Sequence, residues 1–318
     1  MDKVVIALAT YNGSKYLEEQ IESLFSQTYR NIDIVVRDDG STDATADILA
    51  KYDGEFRDGI SLHVLKDSLG NLGYVRNFLY IMRNCGDAAF YGFCDQDDFW
   101  LPDKVQRAVE ALSKDEQDKP LIYASNYFTC DKDLNIVDKG HEPTSFTDLD
   151  VGKSLSLFDG GWFLGFTIMM NKALKQLAFD NDVEAMYSHD IWVQAVAVGF
   201  NAEFFYDSNE TVLFRRHDAT TSIAEADTFN SFLSSWKYRW QESFGDGTMF
   251  RRLKDSMTSY QKQYGDKVQN DQDVLFLELF GDEDASMHRI NKLFYPHRLK
   301  KGIVTEMAWR FAILLGRI

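Results

Sequence analysis

The chain has 318 residues, of which 45% are hydrophobic and 14% aromatic, so it can bury a substantial core in one large domain or two smaller ones. Its formal net charge of −16 argues against general nucleic-acid binding, because phosphate backbones require a basic surface. The three cysteines form no CxxC pair, so the sequence predicts neither a disulfide framework nor a zinc site.

The first residues and the apolar segments bear on cellular location. The chain leads directly into a short apolar run, without the pattern of a secretory signal peptide. No uninterrupted apolar segment is long enough to span a bilayer. These features predict a cytoplasmic protein, and a position at the inner face of the plasma membrane stays open.

Apolar runs alternate with helical patterns through the first two-thirds of the chain. The first run, 4–9, is continuous, as in a parallel strand buried on both faces, and a helix with Leu17, Ile21 and Leu24 on one face follows it. Alternating strands and helices predict an α/β fold with a mainly parallel sheet, in which ligands bind at the carboxyl ends of the strands. Further strands are predicted at 32–36, 61–65, 88–93, 121–126, 168–170 and 212–217.

Three polar segments directly follow predicted strands, at residues 10–13, 38–43 and 95–98, and should therefore converge on one rim of the sheet. In the third segment, Asp95, Asp97 and Asp98 end an apolar run, where carboxylates are costly to bury without a positive partner. Clustered oxygen ligands suit Mg²⁺ or Mn²⁺ better than zinc. The alternative is a solvated acidic loop that caps the next helix.

From about residue 225 the chain shows helical patterns without strands, which predicts one domain at 1–224 and a helical C-terminal region at 225–318. The last helix, 303–318, is amphipathic and follows a basic run that ends in Lys300 and Lys301. This pattern fits an interfacial helix on an anionic membrane. A helix packed on its own domain, or on a second copy in a homodimer, is the more common structure for such a pattern.

Several well-known site motifs are absent from the sequence. The sequence contains no P-loop and no GxGxxG fingerprint, so it does not support a P-loop nucleotide-binding protein or a dinucleotide-binding protein. The sequence also lacks the GxSxG motif of serine hydrolases, so that class is not supported either. What remains is a set of acidic strand ends on one rim of an α/β sheet.

Four motifs occur in a specific order: Thr10-Tyr11-Asn12-Gly13, the run 38–43, Asn71-Leu72-Gly73 with Arg76, and Asp95-Gln96-Asp97-Asp98. Together they resemble the family 2 glycosyltransferases, inverting enzymes with a GT-A fold, a Rossmann-like fold of nucleotide-diphospho-sugar transferases. The run 95–104, with the later Arg216-His217, is most similar to the rhamnosyltransferase-type branch. Members of that branch build bacterial surface polysaccharides, such as those of the capsule and cell wall.

The resemblance implies a nucleotide-sugar site on the rim. Asp39 would accept a hydrogen bond from the pyrimidine N3–H, and Asp38 would lie near the base or ribose. Helix capping is the alternative role for both carboxylates. Arg76 would help to hold the donor, with a surface ion pair as its alternative. The residues implied on the nucleotide-sugar side are Thr10, Tyr11, Asn12, Asp38, Asp39, Asn71, Gly73, Arg76, Asp95 and Gln96.

The resemblance also implies a divalent metal, Mn²⁺ or Mg²⁺. Asp97 would be the direct ligand in the family's DXD motif, and Asp95 would contact ribose or metal-bound water. His217 resembles a further metal ligand of this fold, although a lone histidine is often a structural residue. Asp98 is expected to be structural.

Asp190 matches the family's catalytic base, which usually belongs to a Glu-Asp pair at the start of a helix. Here the pair is His189-Asp190, a departure that keeps the base and leaves the histidine unexplained. A carboxylate stabilised by the helix dipole is the alternative role for Asp190. The acceptor side would be formed by Trp162, Gly165 and His189.

These implications lead to a metal-dependent inverting glycosyltransferase, specifically a hexosyltransferase, with dTDP-L-rhamnose as the favoured donor. UDP-glucose, UDP-galactose and UDP-N-acetylhexosamine stay open as donors. The acceptor would be a glycan hydroxyl, with a lipid-linked glycan as one possibility. Two other classes remain: a nucleotidyltransferase of related fold, which lacks the expected basic Gly-rich loop here, and a non-catalytic sugar-nucleotide-binding protein.

Overall fold

The computed structural model describes residues 1–140, 163–181, 183, 185–217, 248–268, 279–280, 289–296 and 303–316. The chain divides into two compact units. Of the described residues, the first unit contains 1–140, 163–181 and 188–217, and the second contains the others. The predicted boundary at 224/225 lies outside the described residues and stays a prediction. Among the helices in the described ranges, none is long and apolar enough to cross a membrane.

The first unit is built around a ten-stranded sheet, counted over the described residues. Its strands are β1 (Val4–Thr10), β2 (Ile32–Asp38), β3 (Phe56–Arg57), β4 (Ile60–Val64), β5 (Phe90–Cys94), β6 (Phe99–Trp100), β7 (Leu121–Cys130), β8 (Ile136–Lys139), β9 (Ile168–Asn171) and β10 (Glu203–Arg215). Its helices are α1 (Leu17–Phe25), α2 (Thr45–Tyr52), α3 (Tyr74–Asn84), α4 (Lys104–Leu112), α5 (Lys172–Phe179) and α6 (His189–Gly199).

The strands lie in the order β3-β4-β2-β1-β5-β9-β7-β10-β6, with β8 paired to β7. Strands β4, β2, β1 and β5 are parallel to one another, as are β7 and β10. Strand β9 runs antiparallel between β5 and β7 and joins the two parallel parts. The predicted α/β class is therefore confirmed, with a mixed sheet whose first half is parallel.

The registers explain why the polar segments meet. Thr10 pairs with Asp38, and Leu8 pairs with Cys94, so β1, β2 and β5 end at nearly the same level. The loops that follow these three strands therefore leave the sheet at one edge. This is the convergence that the sequence predicted for residues 10–13, 38–43 and 95–98.

The core of the first unit consists of continuous apolar strands and one face of each helix. Val4 to Leu8 of β1 are fully buried, as are Leu17 and Ile21 of α1. Helix α3 adds Phe78 and Ile81 to this core. Burying a side chain of this size contributes about 1.5–3 kcal/mol relative to leaving it exposed. The functional loops therefore stand on a rigid base.

Strand β10 differs from its prediction. The sequence predicted a strand at 212–217, but the structure has a longer strand that begins at Glu203 and ends at Arg215. Its first half joins the aromatic residues 204–206 to the polar residues 207–210, and all of them are at least partly exposed, so no hydrophobic run or alternation marks a strand there. Pairing with β7, interrupted by two register shifts, holds that half in the sheet. His217 lies two residues beyond the strand end.

In the second unit, every regular element of the described ranges is helical. The α-helices are α7 (Thr248–Tyr264), α8 (Arg289–Leu293) and α9 (Ile303–Leu314). Helix α7 buries Leu253, Met257, Tyr260 and Tyr264, which recur every three or four residues along one side. The helical character expected from the sequence after residue 225 is present in these ranges.

Candidate active site

The ends of β1 and β2 are tied together by a polar network. Thr10 Oγ1 donates to Asp38 Oδ1 at 3.1 Å, and the Ser41 backbone N–H donates to Asp38 Oδ2 at 3.0 Å. The Asn12 N–H donates to Ser41 Oγ at 2.8 Å, and Asn12 Oδ1 accepts from the Thr42 N–H at 2.8 Å. Three residues predicted on the nucleotide side, Thr10, Asn12 and Asp38, therefore belong to one cluster.

Gln96 connects this cluster to the acidic segment. Its Oε1 accepts from the Tyr11 N–H at 2.8 Å, and its Nε2 donates to the Tyr11 carbonyl at 3.0 Å. The Tyr11 side chain is 47% exposed. An exposed aromatic ring held by a fixed backbone offers a surface on which a flat base can stack.

Asp39 lies at the same rim but is almost completely buried. Its Oδ1 accepts from Arg37 Nη1 at 2.6 Å and from the Leu72 N–H at 2.7 Å. Its Oδ2 accepts from the Gly73 N–H at 2.8 Å, and Gly73 has a φ of +77°, a conformation that favours glycine. Asn71 Oδ1 also accepts from Gly73, at 3.2 Å. Asp39 therefore fastens the 71–73 motif to the end of β2.

Arg37 organises this part of the rim, and the sequence analysis assigned it no role. Its side chain is 1% exposed and forks onto Asp67, with Nε–Oδ2 at 2.7 Å and Nη2–Oδ1 at 3.1 Å. Its Nη1 also donates to Asn77 Oδ1 at 3.1 Å. The hydrogen bond from Arg37 lowers the pKa of Asp67 below its usual range. The available signal was an arginine that directly follows the apolar run 34–36 of β2.

Replacing Arg37 by lysine is expected to weaken nucleoside-diphosphate binding about tenfold, because the lysine keeps the charge but cannot hold Asp67 and Asp39 at the same time. Isothermal titration with UDP and dTDP measures the affinity. Arg57→Lys is the matched control, since Arg57 forms exposed ion pairs with Glu22 and Glu55. Equal affinities for the two variants would contradict the role given to Arg37.

Arg76 lies in the first turn of α3 with an exposed side chain. Across the described ranges it has no ion-pair partner, so the surface ion pair considered from the sequence does not form there. A helix amino terminus favours anions, and an exposed guanidinium beside it adds charge of the same sign.

The acidic segment after β5 holds its carboxylates close together. Burial, reinforced by the charges of Asp97 and Asp190, raises the pKa of Asp95 to about 7. Burial raises the pKa of Asp98 well above its usual value, and its Oδ1 accepts from the Arg215 N–H at 3.2 Å. Asp98 thus faces inward, away from the exposed rim.

Asp97 and His217 meet across the site. Asp97 Oδ2 and His217 Nε2 lie 2.9 Å apart, and both side chains are mostly buried. This contact is a hydrogen bond, and it holds a carboxylate and an imidazole, two side chains that can bind Mg²⁺ or Mn²⁺, next to each other. Such ions take few protein ligands and complete their shell with phosphate oxygens and water.

Asp95 completes the DXD motif beside Asp97. Within the described residues, no group of three or more His, Cys, Asp and Glu side chains is placed to hold a metal ion. The expected contact of Asp95 with ribose or metal-bound water stays a prediction. Asp95 follows β5 directly, within electrostatic range of both Asp97 and Asp190.

Arg215, at the end of β10, clamps the acidic segment, and the sequence analysis did not identify it. Its side chain is 2% exposed; Nε donates to the Asp97 carbonyl at 2.9 Å and Nη1 to the Lys132 carbonyl at 2.6 Å. Its Nη2 bonds the carboxylate of Glu19, and its guanidinium lies over the Tyr16 ring. Arg215, which is two residues before His217, therefore fixes the backbone of Asp97.

Asp190 occupies the first turn of α6 and is half-buried. Burial raises its pKa to about 6, against the opposing effect of backbone hydrogen bonds from Ile191 and Gly165. The Ile191 N–H donates to Oδ1 at 2.8 Å, and the Ser188 hydroxyl also bonds this oxygen. Several hydrogen bonds therefore fix the orientation of this carboxylate. This arrangement suits a general base near neutral pH.

His189 points into the core, unlike its neighbour. Its ring stacks on Phe78 with centroids 4.0 Å apart and meets Phe93 edge-on at 4.6 Å. Burial lowers its pKa to about 3, so the ring is neutral. Gly165 packs directly against it, and an added Cβ there would lie 2.6 Å from His189 Nε2. The buried ring offers no surface to an acceptor, so that role is not carried further. Trp162 lies outside the described residues.

Comparison with known proteins assigns the family. A model described as Glycosyl transferase family 2 matches residues 5–187, more than half of the chain, including the ends of β1, β2 and β5. The chain belongs to this family. The glycosyl transferase family 2 assignment confirms the resemblance drawn from the sequence motifs. Asp190 and His217 lie beyond the matched segment.

Two relatives of this family 2 glycosyltransferase match it at about 30% identity or less. The dTDP-rhamnosyl transferase RfbG of Shigella flexneri is 27% identical over 222 residues, 66% of this chain and 72% of that protein. The UDP-Glc:alpha-D-GlcNAc-diphosphoundecaprenol beta-1,3-glucosyltransferase WfaP of Escherichia coli is 31% identical over 132 residues, 40% of this chain and 47% of that protein.

A solved structure shares the fold of this glycosyltransferase. The mannosyltransferase PcManGT from Pyrobaculum calidifontis, in complex with GDP-Man and Mn²⁺, superposes with a TM-score of 0.51 over 99% of this chain and 87% of that one. The two chains are 13% identical, so the likeness concerns the fold alone. It confirms the GT-A architecture predicted from the sequence.

Proposed function

We propose that this family 2 glycosyltransferase transfers a sugar from a nucleoside-diphosphate donor to a hydroxyl of a glycan, with inversion of the anomeric carbon. The observation that carries the proposal is the 2.9 Å contact between Asp97 and His217. The neighbouring Asp95 lies close enough to Asp190 for the charge of Asp190 to help raise its pKa. A pair of metal-compatible side chains and a candidate base therefore serve one rim. Inverting transfer needs both a held diphosphate and a base.

On the donor side, the nucleotide is proposed to lie over the rim formed by β1 and β2. The exposed Tyr11 ring would face the base, with the half-buried Asp38 near the base or ribose. The N3–H contact of Asp39 stays part of the proposal, for a carboxylate that is 2% exposed here. Arg76 would contact the diphosphate. Its exposed guanidinium without an ion pair in the described ranges supports that role.

A divalent cation, Mn²⁺ or Mg²⁺, is proposed to bind at Asp97 and His217. When bound, such an ion supplies Lewis-acid neutralisation of the charge that grows on the leaving nucleoside diphosphate. The protein's own contribution is to hold the two ligands at their spacing, through the bond from Arg215 to the Asp97 carbonyl. Asp95 is proposed to contact ribose or a water at this site.

Asp190 is proposed to be the catalytic base. Its carboxylate takes the proton from the acceptor hydroxyl while that oxygen forms a bond to the anomeric carbon. The bond between the anomeric carbon and the diphosphate oxygen breaks on the opposite face, so the configuration inverts. A pKa of about 6 keeps the carboxylate ionised at neutral pH and still basic enough to accept the proton.

The favoured donor is dTDP-L-rhamnose, and the proposed setting is the cytoplasmic synthesis of a bacterial surface polysaccharide. The similarity to the Shigella flexneri dTDP-rhamnosyl transferase over two-thirds of the chain supports this choice. A UDP-hexose is the second candidate, favoured by the shorter match to the Escherichia coli glucosyltransferase. A lipid-linked glycan is proposed as the acceptor class on the same basis.

A donor screen tests the proposal. The purified protein is incubated with Mn²⁺, a panel of dTDP-, UDP- and GDP-sugars, and lipid-linked or soluble glycan acceptors. Release of the nucleoside diphosphate is measured together with the mass and anomeric configuration of the product. A glycan product with inverted configuration supports the proposal. Tight sugar-nucleotide binding without turnover would favour a non-catalytic binding protein instead.

Removal of divalent metal is expected to lower transfer at least a hundredfold, because Asp97 and His217 alone leave the diphosphate charge uncompensated. Activity is measured after treatment with EDTA and again after adding back Mn²⁺ or Mg²⁺. Thermal shift by the nucleoside diphosphate, with and without Mn²⁺, gives a readout that does not depend on turnover. Unchanged activity and an unchanged shift would rule out the metal.

A further inference from the structure

Tyr16, the residue before α1, packs against His217 in the candidate site. The centroids of the two rings are 4.8 Å apart, and the rings are tilted by 40°. The tyrosine is 8% exposed, and its ring centroid lies 4.4 Å from the guanidinium carbon of Arg215. One buried ring therefore contacts both the histidine proposed to bind the metal and the arginine that fixes the Asp97 backbone.

The spacing of Arg215 and His217 explains why both reach the same ring. Side chains two residues apart in an extended chain point to the same face. Arg215 ends β10, and the next N–H, that of Arg216, donates to the Cys130 carbonyl of β7 at 2.9 Å, so pairing with β7 continues to that residue. The end of the strand therefore brings both side chains to the side on which Tyr16 lies.

His217 depends on side-chain contacts to orient its ring, because it follows the last residue of β10 that is paired with β7 in the described ranges. Its Nε2 lies 2.9 Å from Asp97 Oδ2. The torsion that turns a histidine ring has broad minima, so one hydrogen bond at one nitrogen leaves the plane of the ring loosely defined. A second ring packed against the imidazole restricts that plane. Tyr16 supplies this surface.

The ring of Tyr16, and not its hydroxyl, makes these contacts. The hydroxyl oxygen is buried and has no hydrogen-bond partner among the described residues. The backbone of Tyr16 is held at both ends, because its N–H donates to the Gly13 carbonyl and its carbonyl accepts from the Gln20 N–H, each at 3.1 Å. The ring is therefore carried by a fixed point between the loop 10–13 and α1.

We propose that Tyr16 is a positioning residue of the metal site, whose ring holds the His217 imidazole beside Asp97 and packs on the Arg215 guanidinium. The inference rests on the proposed binding of a divalent cation at Asp97 and His217. Ligands that are already oriented bind an ion without a further ordering cost, and residues that orient them raise metal affinity. Tyr16 would act in this way without touching the ion.

Tyr16→Leu is expected to weaken Mn²⁺ binding about tenfold, the lower end of the effect of residues that orient metal ligands. The electron paramagnetic resonance signal of the free ion measures the affinity, with UDP or dTDP present and at a temperature where the variants are folded. Tyr16→Phe keeps the ring and removes only the unpaired hydroxyl, so it should recover the wild-type affinity to within about twofold.

Tyr52→Leu is the matched control. Tyr52 is 6% exposed, and its ring centroid lies 5.7 Å from the guanidinium carbon of Arg57 and 6.3 Å from the ring of Phe25. Both leucine variants are expected to melt at a lower temperature than the wild type, because each loses a buried aromatic ring. Only Tyr16→Leu should lose Mn²⁺ affinity, since Tyr52 packs away from Asp97 and His217.

Nuclear magnetic resonance tests the ring contact without metal and without relying on a leucine variant to fold. The wild-type protein is prepared with protonated tyrosine and histidine in a deuterated background. A nuclear Overhauser peak between a tyrosine ring and the His217 ring is expected, because the two rings are in contact. The peak should be absent from His217→Gln, and from Tyr16→Phe made with deuterated phenylalanine.

Three outcomes would overturn the positioning role alone: no Overhauser peak between the two rings, a wild type and a Tyr16→Leu variant that bind Mn²⁺ equally well, or equal losses of affinity in Tyr16→Leu and Tyr52→Leu. Tyr16→Phe binding as weakly as Tyr16→Leu would give the role to the hydroxyl instead and also contradict the proposal. A wild type that binds no Mn²⁺ would overturn the metal site itself, and the positioning role with it.

Discussion

Asp190→Asn is expected to lower kcat by about 10²–10⁴-fold, because the amide cannot take the proton from the acceptor hydroxyl. Donor affinity should change by no more than about twofold, since the substitution preserves shape and Asp190 does not contact the nucleotide in the proposed arrangement. Steady-state rates with saturating acceptor and calorimetric titration of the donor separate the two quantities. Asp180→Asn, at the end of α5, is the control and should leave both unchanged.

The rate of transfer should also depend on pH, because Asp190 must be ionised to act as a base. Burial raises the pKa of Asp190 to about 6, so the carboxylate becomes protonated, and inactive as a base, as the pH falls through that value. The logarithm of kcat should therefore decline below about pH 6, with a slope approaching one. In Asp190→Asn this acid limb should disappear from the residual rate. If the wild type kept full activity at pH 4.5, or if Asp190→Asn turned over at the wild-type rate, Asp190 would not be the catalytic base.

Arg215→Met is expected to weaken Mn²⁺ binding by about 10–100-fold, because residues that orient metal ligands have effects of this size. The variant loses the hydrogen bonds to the Asp97 and Lys132 carbonyls, and the loop that carries Asp97 is then free to move away from His217. Metal affinity is measured by calorimetry in the presence of the nucleoside diphosphate. Arg215→Lys should recover part of the affinity, because it keeps the charge and one donor.

Arg107→Met provides the control for Arg215. Arg107 also forks onto a carboxylate, with Nε and Nη2 at 2.6 and 3.0 Å from Asp207, but no group of the candidate site is involved. Both variants are expected to melt at a lower temperature than the wild type. Only Arg215→Met should lose metal affinity at a temperature where both are folded. Equal metal affinity in the two variants would reduce Arg215 to a structural role.

Much of the fold followed from local patterns. Continuous apolar runs predicted β1 and β5, because strands covered on both faces leave no room for alternation. Strand β10 was placed too late, at 212–217 instead of Glu203–Arg215, since its first half is partly exposed, lacks a continuous apolar run and is held by pairing with β7. Pairing of that kind involves residues far apart in the chain and leaves no periodic signal.

The site shows the same division between local and distant information. The motif residues Thr10, Asn12 and Asp38 do lie together, because strands of matched register end side by side. The arginines that hold the site were not recognised, since Arg37 and Arg215 act through burial and partners in other elements. The motif match suggested an acceptor-side position for His189, whose ring instead packs on Phe78.

By itself, the sequence determined the α/β class, the family and the rim on which the polar motifs meet, because hydrophobic period, turn residues and short motifs are local properties. Only the tertiary structure decided how the site is held. Asp97 and His217 are 120 residues apart and meet at 2.9 Å, and Arg215 reaches Glu19 across 196 residues. Such contacts depend on strand register and packing of the whole sheet. Strand register and packing are set by the sum of many weak interactions, so no single segment of the sequence predicts them.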